Sequence, residues 1–153
     1  MHSRIFQVSL NPIKKCNYIT ENNYWEHWFL DSIADYVVDS NDREYDIEWL
    51  KKCVAGCVFG SDDNGDYIIA TSRTEYFAEK FEEFRRLLNA AQNYNIEDFA
   101  TGIAEMYGIQ SAYEDKFGFY VDADGELMTF DCFVRLCEVG EKYYIGGTLD
   151  YHC

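Results

Sequence analysis

The sequence predicts an α+β fold on three observations. Its 153 residues are 48% apolar and 18% aromatic, which is enough to build the core of one ordinary domain. Stretches that alternate apolar and polar residues like strands are separated by stretches with the helical period of about 3.6 residues. The chain has one proline and no Ser/Gly-rich linker, so residues 1–153 are expected to form a single domain. We expect a small antiparallel sheet, built from an N-terminal strand, two hairpins and a C-terminal strand, packed with about four to six helices.

The first forty residues are expected to hold one strand and one helix. Residues 3–10 are rich enough in branched and aromatic side chains for a strand, which ends at Asn11-Pro12 because proline cannot continue a central ladder. Residues 20–40 predict a helix that begins at a Thr20 cap. This helix is apolar on two sides and therefore largely buried. Between the two apolar sides lies an acidic seam made of Asp31, Asp35 and Asp39.

The middle of the chain is expected to form two helices around a hairpin. A helix over residues 42–56 is ended by Gly56. Residues 57–72 predict a hairpin in which Asn64-Gly65 supplies the positive backbone angles of a tight turn. From Thr74 to residue 92 the apolar side chains fall on one face, which is the clearest amphipathic helix of the chain.

The remaining third is expected to alternate helices with strands. Asn95 is a candidate cap for a short helix, although the residue three positions on is Asp98 and not the Glu or Gln of a capping box. Residues 103–117 predict a further helix. A hairpin, a helix and a last strand follow, over residues 117–130, 131–140 and 141–152.

The stretch FGFYVDADGELMTFDCF, residues 117–133, fits either a calcium loop or an acidic hairpin. Tyr120 stands at the first loop position, which requires an oxygen ligand, and the preceding residues predict a strand where an EF-hand has a helix. We therefore interpret the stretch mainly as a hairpin, with weak cation binding left open. The positions that do match the loop pattern are Asp122, Asp124, Gly125, Leu127 and Asp131.

Other catalytic and metal chemistry has little support in the sequence. The six cysteines are expected to be reduced thiols, several of them buried as small apolar residues. Their C-x3-C and C-x4-C spacings do not match a zinc site. No phosphate loop or dinucleotide fingerprint is present, and His27 is interpreted as a packing residue. We predict no cofactor and no metal. With 28 acids, a carboxylate pair for hydrolysis stays open as a minor alternative.

The net charge of −15 restricts the partners. Such a field repels nucleic acid and anionic membranes and attracts basic proteins. No stretch reaches the roughly 18 apolar residues of a membrane span, and the first ten residues lack the apolar core of a signal peptide. We expect a cytoplasmic protein that contacts neither nucleic acid nor membrane directly.

The acidity is concentrated in two parts of the chain. Residues 17–50 and residues 87–131 each contain nine acids and one base, whereas residues 51–86 are nearly balanced. Tyrosines lie in or near both blocks, and tyrosine is enriched at protein contact surfaces. Acids spaced four apart without lysines repel one another, so we interpret the blocks as partner-binding surfaces. The candidate partner-binding residues are Asp31, Asp35, Asp39, Glu44, Asp46, Glu48, Glu97, Asp98, Glu105, Glu114 and Asp115.

Four phrases carry a family resemblance: SRIFQVS, EHWFLDSIADYV, SAYEDKFGFYV and VGEKYYIGGTLDYH. With these the chain resembles small acidic proteins carried by phages and mobile elements of gut anaerobes. Its general character is similar to that of DNA-mimicking antirestriction and anti-CRISPR inhibitors, which are small, acidic and often aromatic. Those inhibitors share charge character and no motif, so the resemblance assigns no residue.

The resemblance and the charge together imply a non-enzymatic inhibitor. It would present an acidic face to the basic nucleic-acid groove of a host defence nuclease, or of another basic nucleic-acid-binding host protein. Two alternatives stay open, namely an interaction domain of mobile-element origin with incidental acidity and a small carboxylate-dependent enzyme.

Overall fold

The computed structural model describes residues 1–153 and contains one mixed sheet and five α-helices, which confirms the predicted α+β class. The strands are β1 (His2–Ser9), β2 (Tyr36–Asp39), β3 (Cys57–Asp62), β4 (Gly65–Ala70), β5 (Tyr120–Ala123), β6 (Glu126–Thr129) and β7 (Lys142–His152). The helices are α1 (Arg43–Cys53), α2 (Arg73–Ala91), α3 (Ile96–Thr101), α4 (Glu105–Tyr113) and α5 (Phe130–Leu136). Two short 3-10 helices cover Lys15–Asn17 and Glu21–Tyr24.

Strand β7 organises the sheet because three other strands pair with it. Its first half pairs with β4 and its second half with β2, both antiparallel, while β1 runs antiparallel along its other edge. β1 then pairs in parallel with β5, with Ile5 opposite Tyr120. The strand order is β3-β4-β7-β1-β5-β6, with β2 beside β7 in line with β4. All predicted strands are present, and β2 is an additional strand that the sequence did not predict. The sheet was predicted to be antiparallel, and this detail is wrong because β1 and β5 run parallel.

Two apolar clusters fill the two faces of the sheet. Ile5 and Phe6 are neighbours on β1 and enter different clusters, because successive side chains of a strand point to opposite faces. Helices α1 and α5 cover the cluster around Phe6, with Leu50 of α1 only 1% exposed. Tyr24 and Phe29, from the segment that precedes β2, cover the cluster around Ile5.

The helix predicted over residues 20–40 does not form, and this prediction is wrong. After a single 3-10 turn the backbone takes positive φ at Glu26 (62°) and at Asp31 (68°), and it then enters β2. A right-handed helix requires negative φ at every residue, so it cannot pass through either position. Thr20 does begin a turn, since its N–H donates to Asn23 Oδ1 at 2.8 Å, but that turn ends after four residues.

The apolar residues of this segment point alternately into the core and out to solvent. Tyr24 and Phe29 are 1% and 0% exposed, whereas Trp25 and Trp28 are 77% and 55% exposed. An irregular chain can bury single side chains in this way because its turns redirect it every few residues. The two apolar sides that predicted a buried helix therefore belong to a loop that covers one face of the sheet.

Both predicted hairpins are confirmed. In the β5–β6 hairpin Asp124 (φ 53°) and Gly125 (φ 93°) both have the positive φ of a tight two-residue turn. In the β3–β4 hairpin only Gly65 has positive φ (125°). Asn64 does not share it, and its N–H instead donates to Asp62 Oδ1 at 2.8 Å. The two residues of this turn are Asp63 and Asn64, since Gly65 is the first residue of β4 and pairs with Asp62. The predicted Asn64-Gly65 turn is therefore wrong by one residue, although Gly65 has the predicted positive φ.

The remaining helices are confirmed, with small differences at their ends. α1 ends at Cys53, three residues before Gly56, which has φ 66° and joins α1 to β3. α3 is capped by Asn95, whose Oδ1 accepts from Asp98 N–H at 3.0 Å. Asp98 Oδ2 in turn accepts from Asn95 N–H at 3.0 Å, so an aspartate completes the reciprocal capping box that the sequence did not predict.

Helices α2, α3 and α4 form a separate layer that we call the helical arm (residues 71–119). No residue of the arm is buried, although α2 and α4 pack against each other along their length. Its apolar side chains include Ile96 and Phe99, which are 77% and 70% exposed. No helix of the protein, in the arm or elsewhere, combines the length and the apolar character needed to cross a membrane.

Candidate functional site

The acids of the first block that were predicted to bind a partner lie on a turn, a strand and a helix. Asp31 is in the turn before β2, Asp35 directly precedes β2, and Asp39 is its last residue. The helical seam predicted for them is therefore wrong, although all three side chains are exposed. Glu44 and Glu48 are also exposed, on the outer side of α1.

Asp46 cannot take part in partner binding, and its prediction is wrong. The residue is 1% exposed. Its carboxylate accepts from Arg4 Nε at 2.6 Å, from Thr148 Oγ1 at 2.8 Å and from Ser40 Oγ. It therefore ties α1 to β1 and β7, and it has no free oxygen to offer a partner.

The acids of the second block lie on or next to the helical arm. Glu97 is exposed on α3, and the other four accept hydrogen bonds from their own chain. Glu114 lines a cleft with Trp28 and Ile33 of the first block, and Asp115 lines another with Trp49. Neither cleft contains a predicted acid of the first block. The internal donors are Asn95 N–H to Asp98, Tyr94 OH to Glu105, Thr129 Oγ1 to Glu114 and Phe117 N–H to Asp115.

A groove of about 350 Å³ lies beside β2, and we call it the β2 groove. The Glu21–Tyr24 turn is held against β2 because Glu21 N–H donates to Asp39 Oδ1 at 2.8 Å, while Asp39 N–H points at the Glu21 carboxylate at 3.4 Å. These two contacts fix the distance between the groove walls. The groove is lined by Glu21, Asn22, Trp25, Leu30, Asp35, Tyr36, Val37 and Val38.

The β2 groove is acidic, and no lysine or arginine of the surrounding segment compensates it. Arg43, the first base after the groove residues, is engaged elsewhere, since it donates to the carbonyls of Gly146 and Ile145 and to Asp66. Residues 16–42 contain no lysine or arginine, and their six acids are Glu21, Glu26, Asp31, Asp35, Asp39 and Asp42.

A histidine borders the groove at the start of β2. His152 Nδ1 lies 3.0 Å from Asp35 Oδ2, and its ring stacks on Tyr36 with centroids 5.4 Å apart and an interplanar angle of 7°. The contact orients Asp35 at the rim while leaving the residue exposed. The groove thus combines oriented carboxylates with flat aromatic surface, which together are suited to a guanidinium or ammonium group.

A second cleft, of about 320 Å³, contains a buried carboxylate that the fold itself uses. Asp131 is 2% exposed and accepts from Tyr76 OH, from Lys80 Nζ and from Asp115 N–H, each at 2.8 Å. Burial, together with the Asp131 carboxylate, raises the pKa of the Tyr76 hydroxyl. These contacts fasten α2 and the end of the arm to α5, and they leave Asp131 no free acceptor for a substrate.

The carboxylates that matched a calcium loop are separated in the structure. Asp122 accepts from Tyr24 OH at 2.8 Å and from Gly125 N–H at 2.9 Å, while Asp131 is bound to Lys80 on the other side of the hairpin. No group of three or more His, Cys, Asp or Glu side chains is arranged to hold a metal ion. The stretch is the hairpin that the sequence favoured.

The six cysteines are free thiols. Cys137 is buried, whereas the others are at least partly accessible, so the expectation that several are buried is wrong. Burial raises the pKa of the Cys57 thiol to about 12, with smaller contributions from Cys137 and Glu75. Cys57 is therefore protonated at neutral pH and is a poor nucleophile.

Four tyrosines that are buried or half-buried predict a steep loss of stability at alkaline pH. Burial raises the pKa of Tyr24, Tyr76, Tyr120 and Tyr151 well above the value of about 10 that tyrosine has in an unfolded chain. The folded protein keeps these protons while the unfolded chain releases them. The stabilisation is thus complete below pH of about 10 and is lost as the pH rises above it.

We expect these tyrosines to ionise in one cooperative step that coincides with unfolding. The measurement is a titration of tyrosine absorbance, followed in parallel by circular dichroism. The same titration in denaturant, where every tyrosine is exposed to solvent, serves as the control. A single smooth titration of all tyrosines with secondary structure unchanged would contradict the prediction.

Of the residues that line the β2 groove, the sequence predicts only Asp35 as a partner-binding residue. Among the lining residues that it does not predict, Glu21 adds a carboxylate and Trp25 adds an exposed indole. The signal that indicates both is the absence of lysine and arginine from residues 16–42, which marks the whole segment and not only the aspartates spaced four apart. No protein-family model, curated protein or solved structure matches this chain.

Proposed function

We propose that this protein is a non-enzymatic inhibitor that binds the basic nucleic-acid groove of another protein, such as a host defence nuclease of the kind that antirestriction and anti-CRISPR proteins block. The observation that carries the proposal is the surface around the β2 groove. The segment that forms the groove, residues 16–42, contains six acids and no lysine or arginine. Two of its tryptophans are exposed, Trp25 in the groove and Trp28 at another cleft.

Charge and aromatic side chains on one surface favour a protein partner that normally holds nucleic acid. A net charge of −15 accelerates encounter with a basic groove and excludes nucleic acid itself as a ligand. Exposed tryptophans add contact area once the partner has docked, and tryptophan is enriched among the residues that dominate binding energy. Carboxylates in place of phosphates and aromatic rings in place of bases would together imitate a nucleic acid.

The two alternative functions have less support. For an enzyme that uses carboxylates, the most buried acids, Asp46, Asp122 and Asp131, are already occupied by donors of the chain. The acids that line the β2 groove, Glu21 and Asp35, are exposed to solvent. A surface that is acidic only for solubility would place basic side chains between its acids, as α2 does in the pairs Glu83–Arg86 and Glu82–Arg85. The segment around the β2 groove has no such pairs.

The experiment is capture of nucleic-acid-binding proteins on the immobilised protein, with duplex DNA as competitor and with increasing salt. We expect the bound proteins to be basic and to be released both by DNA and by salt. Asp31→Asn, Asp35→Asn and Asp39→Asn combined are expected to weaken binding at low salt by about tenfold, because three exposed ion pairs at roughly 0.5 kcal/mol each are lost.

The control is a variant with the same change of charge on the helical arm, Glu75→Gln, Glu79→Gln and Glu82→Gln, which is expected to bind like the parent. All three control residues are exposed, so both variants should keep the fold. Equal binding of the two triple variants at every salt concentration would place the binding surface elsewhere. Capture that neither DNA nor salt reduces would contradict the proposed function itself.

A further inference from the structure

We propose that the β2 groove takes an extended, arginine- or lysine-bearing segment of the partner, which joins the sheet as an additional strand beside β2. The inference rests on the proposed function, because it specifies how a basic partner is held. It adds the conformation of the bound segment, the backbone groups that pair with it and the side chains that select its charge.

The edge of β2 that faces away from β7 is free at Val37, whereas at Asp39 it is covered by the Glu21–Tyr24 turn. Ser40 N–H donates to Thr148 O, so the hydrogen-bonded positions of β2 toward β7 are the even-numbered ones, Tyr36 and Val38. The N–H and C=O of Val37 therefore point away from β7. They face the groove, which Val37 lines. An exposed pair of this kind is what an added strand uses for its first two hydrogen bonds.

The walls of the β2 groove carry carboxylates and an exposed indole. Glu21 and Asp35 line the groove, and Asp39 lies beside Glu21, so carboxylates flank the free backbone groups of Val37. Trp25 supplies an exposed indole face to the same groove. An arginine side chain fits these walls best, because its planar guanidinium stacks on an aromatic ring while it donates hydrogen bonds to carboxylates.

Charge repulsion excludes a second copy of this chain as the occupant of the groove. Pairing two β2 edges would bring the acids of one copy next to the same acids of the other, without any lysine or arginine in either segment. Like charges placed opposite each other on neighbouring strands destabilise the pairing. The same charges that block self-association select a basic strand.

The experiment uses a short synthetic peptide in which arginine and valine alternate, with amide hydrogen exchange of the intact protein as readout. We expect binding and a slowing of exchange at the Val37 amide by at least about tenfold, because that N–H gains an acceptor. The Val38 amide is the internal control, since it already faces β7. Trp25→Ala is expected to weaken peptide binding by about tenfold or more.

Two control peptides separate strand addition from plain charge attraction. A glutamate-valine peptide should not bind, and an arginine-valine peptide methylated at alternate backbone nitrogens should bind more weakly, because it keeps its charge but loses half of its N–H donors. Unchanged exchange at Val37 on a saturated complex would overturn strand addition and leave the proposed function standing. So would a failure of the peptide to bind while DNA-sensitive capture of basic proteins persists. If both the peptide and the capture fail, the proposed function falls together with this inference.

Discussion

Replacing Asp46 by alanine is expected to destabilise the protein by about 3–5 kcal/mol, the typical cost of removing one partner from a buried ion pair. Asp46 is 1% exposed and holds Arg4, whose side chain is only 15% exposed. Without the carboxylate, Arg4 keeps only Asp150 at 3.0 Å and the Ser3 carbonyl, and the hydroxyls of Ser40 and Thr148 lose their acceptor.

The measurement is chemical denaturation of Asp46→Ala beside Glu48→Ala. Glu48 lies two residues further along α1 and is exposed, so its substitution should change the free energy of unfolding by no more than about 0.5 kcal/mol. Both substitutions remove a carboxylate from α1, and the two carboxylates differ in whether they are buried. Equal stabilities of the two variants would show that the Asp46 cluster does not stabilise the fold.

Gly56→Ala is expected to lower the free energy of unfolding by about 3–4 kcal/mol, nearly as much as Asp46→Ala. The effect is large because the substitution introduces both backbone strain and a steric clash. Gly56 has φ 66°, and a Cβ built there would lie 2.2 Å from Ser72 O and 2.8 Å from Tyr76 N. Both are backbone atoms, so no side-chain rotation relieves the contact. The Gly56 carbonyl also accepts from Thr71 N–H at 2.8 Å, which fixes the glycine against the start of α2.

Gly125→Ala is the matched control for the clash. Gly125 also has positive φ, 93°, but no atom lies within 4 Å of the position that an alanine Cβ would take. Its substitution should therefore cost only the backbone strain, about 1–2 kcal/mol. Thermal and urea unfolding of both variants measure the difference, and a Gly56→Ala variant as stable as Gly125→Ala would mean that α2 shifts to make room.

The parts of the fold that the sequence predicted correctly are stabilised by contacts between residues close in the chain. The β5–β6 turn needs positive φ at two adjacent residues, which Asp124 and Gly125 supply, and Asn95 caps α3 through residues two and three positions away. Such signals are complete within a few residues, so a sequence contains them in full.

The parts that were wrong depend on residues far away. β2 exists because Val37 and its neighbours pair with β7, and the pattern of residues 20–40 contains nothing about that partner. Likewise, the parallel pairing of β1 with β5 follows from how the sheet closes and not from either strand alone. A segment that is apolar on two sides fits a buried helix and a core-covering loop equally well.

The sequence predicted that the candidate site is acidic, but it did not predict where the acidic residues lie in the structure. Asp35 and Asp39 do border the β2 groove, but Asp46 has the same side chain and lies in the interior. Composition cannot separate an aspartate that anchors an arginine from one that faces solvent. That distinction requires knowing that Arg4, from the first strand, reaches α1.

The pairing of β1 with β7 also sets the order of events while the ribosome makes this chain. β1 is synthesised early, yet Ile5 lies opposite Leu149, so one edge of β1 stays open until almost all of the sequence has emerged. The β3–β4 and β5–β6 hairpins join strands adjacent in sequence and can form long before. During that interval the nascent chain exposes an unpaired apolar strand, which is prone to aggregation until β7 inserts between β1 and β4.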